Sequence, residues 1–150
     1  MMMQGEIQAK VETRLRTMRV LWGFFLITAA LFMLVTFVVG PQGERYETGN
    51  EATLFAVFLV MGLSLVAASF VVRGLMQKRA IAEGKAELVH TAMIVALALC
   101  EGAVLFGLVS YFVTGHRYSF VLFVVGALGE LAHFPRREQL LAAMHKSREP

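Results

Sequence analysis

Apolar residues run almost unbroken through four stretches of the chain, at about 20–39, 52–72, 88–113 and 118–134, and polar residues gather between them. Continuous runs of this kind differ from the ten-residue alternating segments of a membrane β-barrel. A helix needs about 20 apolar residues to cross the hydrocarbon core. The first two stretches fit that length, the third is long, and the fourth is near the short limit. A bilayer leaves no unpaired backbone polar group, so each stretch is predicted to be helical. Gly40-Pro41 should stop the first helix, and Thr114-Gly115-His116-Arg117 should form a tight turn between the third and fourth. The expected fold is all-α integral membrane: four transmembrane helices as two antiparallel hairpins. A cleaved signal peptide is the weaker reading of the first stretch, because the apolar run reaches Val39 and Glu6 and Glu12 stand in its leader.

Composition agrees with this pattern. The hydrophobic share is 57% and the charged share 17%, and the mean hydropathy is +0.65. A soluble domain of this size would lack the polar surface to cover so much apolar side chain. The charges then orient the chain. Of the 14 basic residues, only Arg45 and Arg117 lie in the two loops expected on the outer side; the others flank the opposite helix ends. The positive-inside rule places both termini and the 73–87 loop in the cytoplasm, with the bacterial inner membrane as the expected location. The net charge of +3 is thus a topology signal and an attraction to anionic lipid heads, not a footprint for nucleic acid. Trp22, Tyr111 and Tyr118 fall near helix ends, where amphipathic rings favour the interface. Segments 4–19 and 136–147 read as short basic amphipathic ends. Ile7, Val11, Leu15 and Met18 share one face of the former, and Leu140, Leu141 and Met144 one face of the latter.

The chemistry-bearing residues are few. Glu101 falls midway along the third stretch, and an ionised carboxylate at the bilayer centre costs about 2.5–3.5 kcal/mol on insertion scales. It is the candidate ion- or proton-binding residue. Ala96, Cys100, Ala103, Gly107 and Ser110 recur at spacings of four and three, forming a stripe of small residues that lets a neighbouring helix approach closely. At 100° per residue, Glu101 points about 140° away from that stripe, toward a bulkier groove, lipid or another subunit. Glu130 and His133 are three apart on the fourth stretch and can touch, either as a structural pair or as a proton relay. The Glu-x-x-His spacing occurs at Glu87–His90 and again at Glu130–His133. A di-iron bundle needs two further acids on the other helices, and these are missing, so no metal is expected. No cofactor is expected either. No nucleophile–base set or phosphate loop is present, and the lone Cys100 cannot form an internal disulfide.

Residues 31–39 and 105–113 align at Leu, Phe, Leu, Val and a final Val, as a parallel duplication of the two hairpins would produce. The run ALCEGAVLFGLVSYFVTG at 98–115 resembles the carboxylate-bearing helix of rotary ATPase proteolipid subunits. That resemblance implies that Glu101 is an ion-carrying carboxylate. Over the third and fourth stretches and the Phe-Pro-Arg-Arg-Glu exit at 134–138, the chain is similar to short bacterial four-helix membrane proteins, a likeness that implies no activity. The expected function is that of a non-enzymatic multi-pass protein embedded in the lipid bilayer, self-associating as a homo-oligomer or serving as an accessory subunit of a membrane complex. The alternative is a proton- or cation-coupled transport component working through Glu101.

Overall fold

The computed structural model describes residues 2–40 and 50–146. The described chain is all helical: α1 (Met2–Val39), α2 (Glu51–Glu83), α3 (Ala86–Thr114), a 3-10 turn (Arg117–Ser119), α4 (Phe120–Ala132) and α5 (Arg137–Lys146). Three of the helices, α1, α2 and α3, contain segments long and apolar enough to cross a membrane. The expected outer turn containing Pro41 and Arg45 lies outside the described residues, as do the side chains of Ile7 and Met144.

The helix ends follow from local chemistry. Gly84 ends α2 in the left-handed region at φ +63°, a conformation open to glycine because it has no Cβ. The Gly84 N–H then returns to Ile81 O and the Lys85 N–H to Ala80 O, the paired bonds of a Schellman turn. Gly115 ends α3 in the same left-handed region at φ +61°, with a single bond from its N–H to Tyr111 O. Beyond α4 the cause is Pro135, which has no N–H to donate and disfavours helical backbone in the residue before it. The fourth predicted stretch is therefore divided. Its first residues form the 3-10 turn, and α4 itself has 13 residues, about 20 Å of helix.

α3 is the axis, packing against each of the other four helices. Around it the bundle has two halves. Toward the Gly115 end, α1, α2 and α4 surround α3. Contacts there run through small residues, and large apolar side chains such as Phe24, Leu31 and Phe37 point outward. Toward the Gly84 end, α5 takes the place of α4. Val11, Leu15 and Met18 of α1, Ala80 of α2, Val89, Met93 and Leu97 of α3 and Leu140 of α5 form one buried core, while Glu12, Arg16, Lys78, Arg79, Glu83 and Glu87 are exposed. Arg79 and Lys85 both bond to Glu83, at 2.6 and 2.8 Å. This second half has the pattern of a water-facing bundle, in which burying each large aliphatic side chain contributes about 1.5–3 kcal/mol.

The ends have different fates in this arrangement. Segment 4–19 continues into the first apolar stretch as the first half of α1, and α5 docks on the bundle, with Leu140 fully buried. Both have the same cause: their apolar faces meet each other and α3. The extra length of the third apolar stretch has that origin too, since its first dozen residues are covered by protein.

Candidate functional site

All five small residues of the α3 stripe are buried, and they admit two neighbours. Ala103 meets α2 at Gly62, where an added Cβ would lie 3.7 Å from the alanine's own. Cys100 and Val104 meet α4 at Gly126 and Gly129. A Cβ on Gly126 would stand 3.0 Å from Cys100 O and 3.2 Å from Val104 N, both backbone atoms. On α4 the facing stripe of Ser119, Phe123, Gly126, Glu130 and His133 is buried throughout. Ser110 and Ser119 join the two helices near the Gly115 end by a hydroxyl bond of 3.0 Å.

The close approach of α3 and α4 brings Glu101 and Glu130 together. Their carboxyl groups are close enough to interact directly. All four oxygens are shut away from solvent, and none has a hydrogen-bond donor from another described residue. Two bare carboxylates brought together out of water repel strongly, and one proton shared between them relieves that repulsion. Glu130 is fully buried and Glu101 partly so. The sequence reading left Glu101 without a partner. Its partner is another acid, 29 positions along the chain.

His133 is engaged elsewhere. Its Nε2 lies 2.8 Å from Ser69 Oγ and its Nδ1 2.8 Å from an Arg73 Nη. A guanidinium can only donate, so Nδ1 must accept and the ring proton sits on Nε2. That N–H donates to Ser69 Oγ, whose own hydrogen goes to Val66 O at 2.6 Å. Cys100 Sγ approaches the same oxygen at 3.4 Å. Every donor and acceptor of the imidazole is used with the ring neutral. The expected Glu130–His133 pair is therefore not formed: α4 unwinds at His133, and the ring turns to α2. A relay through His133 is opposed by the same geometry, since a proton on Nδ1 would confront the Arg73 guanidinium.

Other residues complete the surroundings. Trp22 of α1 donates its indole N–H to Glu130 O at 2.8 Å, satisfying a carbonyl near the end of α4, and its ring meets Phe134 edge-on at 5.1 Å. Arg73 also donates to Phe134 O at 3.5 Å and to Gln139 Oε1 at 3.2 Å. Sequence reasoning missed Ser69, Arg73 and Gln139 as site residues. The available signal was the four-residue spacing of Ser69 and Arg73 at the inner end of the second stretch, where the arginine had been weighed only as a topology charge.

The same bonds set the levels across the bundle. Cys100 is level with Ser69, and Glu130 with Trp22, through the bonds above. Ser69 lies about 6 Å along α2 from Arg73. The acid pair thus sits level with Trp22 of α1 and Ser69 of α2, and Val71 and Leu75 still face outward on its Gly84 side.

The second Glu-x-x-His segment stands apart, with Glu87 exposed and 3.6 Å from Arg14. Among the described residues, no three His, Cys, Asp or Glu side chains gather as a metal centre would require. Comparisons of the chain with family models, curated proteins and solved structures give no match.

Proposed function

We propose that this chain is a non-enzymatic, four-span protein of the bacterial inner membrane, with both termini in the cytoplasm, whose Glu101–Glu130 pair takes up and releases a proton in a coupled transport step. The observation that carries this reading is the pair itself: two acids close together inside a helical bundle, with no hydrogen bond to either carboxyl from another described residue. Intramembrane acids are costly, and their default reading is functional. Glu101 is the mobile member. It is partly exposed whereas Glu130 is sealed, so rotation of the Glu101 side chain opens the pair. Topology rests on the basic residues, twelve of 14 on one side. In this reading the 3-10 turn and α4 together make the fourth span, with the membrane thinned or the α4 ends drawn in to match.

A second reading, that of an accessory or self-associating subunit, is favoured by the complete burial of the four carboxyl oxygens. There the proton is never exchanged and the pair simply ties α3 to α4. Infrared difference spectra of the full-length protein in nanodiscs separate the two. If the pair exchanges protons, the protonated-carboxyl band should rise and fall as pH is stepped, and it should vanish in the Glu101→Gln, Glu130→Gln double variant. A band that stays constant across the physiological pH range, with the helices intact, overturns the transport reading.

A further inference from the structure

The break between α4 and α5 leaves an open cleft of about 240 Å³ against α2. Phe70, Arg73, Gln77, His133, Arg136 and Gln139 line it, and among the described residues no acid does. Arg73 is the unusual member. It is only 8% exposed, yet each group it bonds is neutral: an imidazole nitrogen, a backbone carbonyl and an amide oxygen. Its Nε is buried with no hydrogen-bond partner. Among the described residues it forms no ion pair. A buried cation left this way is costly, and here a second guanidinium, that of Arg136, lines the same cleft and raises the cost. The arrangement becomes favourable when an anion enters.

We propose that the cleft binds a phosphate oxyanion held between Arg73 and Arg136. Guanidinium groups match phosphate oxygens with paired, charge-assisted hydrogen bonds. Two sources carry that chemistry: an anionic phospholipid headgroup and phosphate free in the cytoplasm. The surroundings favour the lipid. Phe70 and Phe134 are both on the rim and are 48% and 42% exposed, apolar shoulders for the first carbons of acyl chains. The cleft also lies at the edge of the apolar belt, one helical turn from Ser69, where headgroup phosphates reside and where basic pockets between helices take anionic lipids. That placement rests on the membrane orientation proposed above; the oxyanion chemistry does not.

The test titrates the full-length protein in neutral detergent with short-chain phosphatidylglycerol, short-chain phosphatidylcholine and inorganic phosphate, following heat on binding. Phosphatidylglycerol should bind saturably and at least about tenfold more tightly than phosphatidylcholine, whose choline cation faces Arg136. Arg136→Gln, at the rim, should weaken it by about tenfold, as the loss of one charge-assisted contact implies. Arg73→Gln should weaken it further, with circular dichroism checking the fold. Inorganic phosphate binding as tightly as phosphatidylglycerol, and lost in the same variants, identifies the free ion as the source and leaves the oxyanion site standing. Equal binding of the two lipids with no binding of phosphate, or affinities unchanged in Arg136→Gln, overturns the proposal. Reporter fusions decide the orientation separately, so failure of one result is not failure of the other.

Discussion

At the scale of single residues, the bundle holds a few polar groups in surroundings that give each one role. His133 is the clearest case, because Arg73 and Ser69 fix its tautomer between them. Nitrogen NMR of histidine-labelled protein should show His133 neutral with the proton on Nε2, and Ser69→Ala should shift the Nε2 resonance. A charged His133 near neutral pH would contradict the assigned hydrogen bonds. Trp22 offers an independent check on α1. Trp22→Phe keeps a ring against Phe134 but removes the donor to Glu130 O, and should cost about 0.6–1.7 kcal/mol, the range for buried polar contacts in membrane bundles. The acids themselves should be coupled. Glu101→Ala and Glu130→Ala together should cost less than the two single changes added, by about 1 kcal/mol, measured by reversible unfolding in mixed micelles. The sequence singled out both acids because charged residues interrupt apolar runs. It did not pair them, since the register between two helices depends on tertiary packing. Helical spacing turned Glu101 away from the small stripe, and the two flexible glutamate stems close the gap that this spacing leaves.

Among the elements, α3 and α4 approach each other closely, and the cause is glycine. An added Cβ at Gly126 meets Val104 Cγ2 at 2.5 Å as well as the α3 backbone, while one at Gly74 meets nothing within 4 Å. Gly126→Ala should therefore destabilise the protein by about 1–3 kcal/mol, the usual cost of overpacking. Gly74→Ala should be neutral or stabilise by up to about 1 kcal/mol, because glycine weakens a helix interior. Equal unfolding curves for the two would remove the α3–α4 seam as the close contact. This seam was legible in advance because small residues at spacings of four and three have a direct steric meaning. The division of the fourth stretch was less so. Pro135 was visible as an exit, but nothing local to 136–147 says whether its apolar face meets lipid or protein. Leu140 is buried because α1 and α3 extend beyond the apolar belt and carry a complementary face, which is a property of three distant segments.

The whole molecule combines a half with large apolar side chains on its outer surface and a half patterned for water. Its orientation is argued from charge alone, and reporter fusions check it: fusions at Gly43 and Gly115 should report the outer side, those at Gly84 and after Pro150 the cytoplasm. A cytoplasmic signal from Gly43 would reverse the proposed topology. The Gly84-end half also has an implication for biogenesis. Its core is assembled from α1, α2, α3 and α5, and α5 is synthesised after the other three. Until α5 docks, Val11, Leu15, Met18, Met93 and Leu97 lack the wall that Leu140 provides, and in the proposed orientation they present a greasy surface to the compartment where chaperones and proteases patrol. Ribosomes that stop before α5 would release a product already threaded into the bilayer yet marked for destruction. Pulse-chase labelling of a chain ended at Arg136 should show insertion at the normal rate followed by rapid turnover, while the full-length chain persists. α5 would then act as the latch by which the cell's quality control recognises a finished molecule.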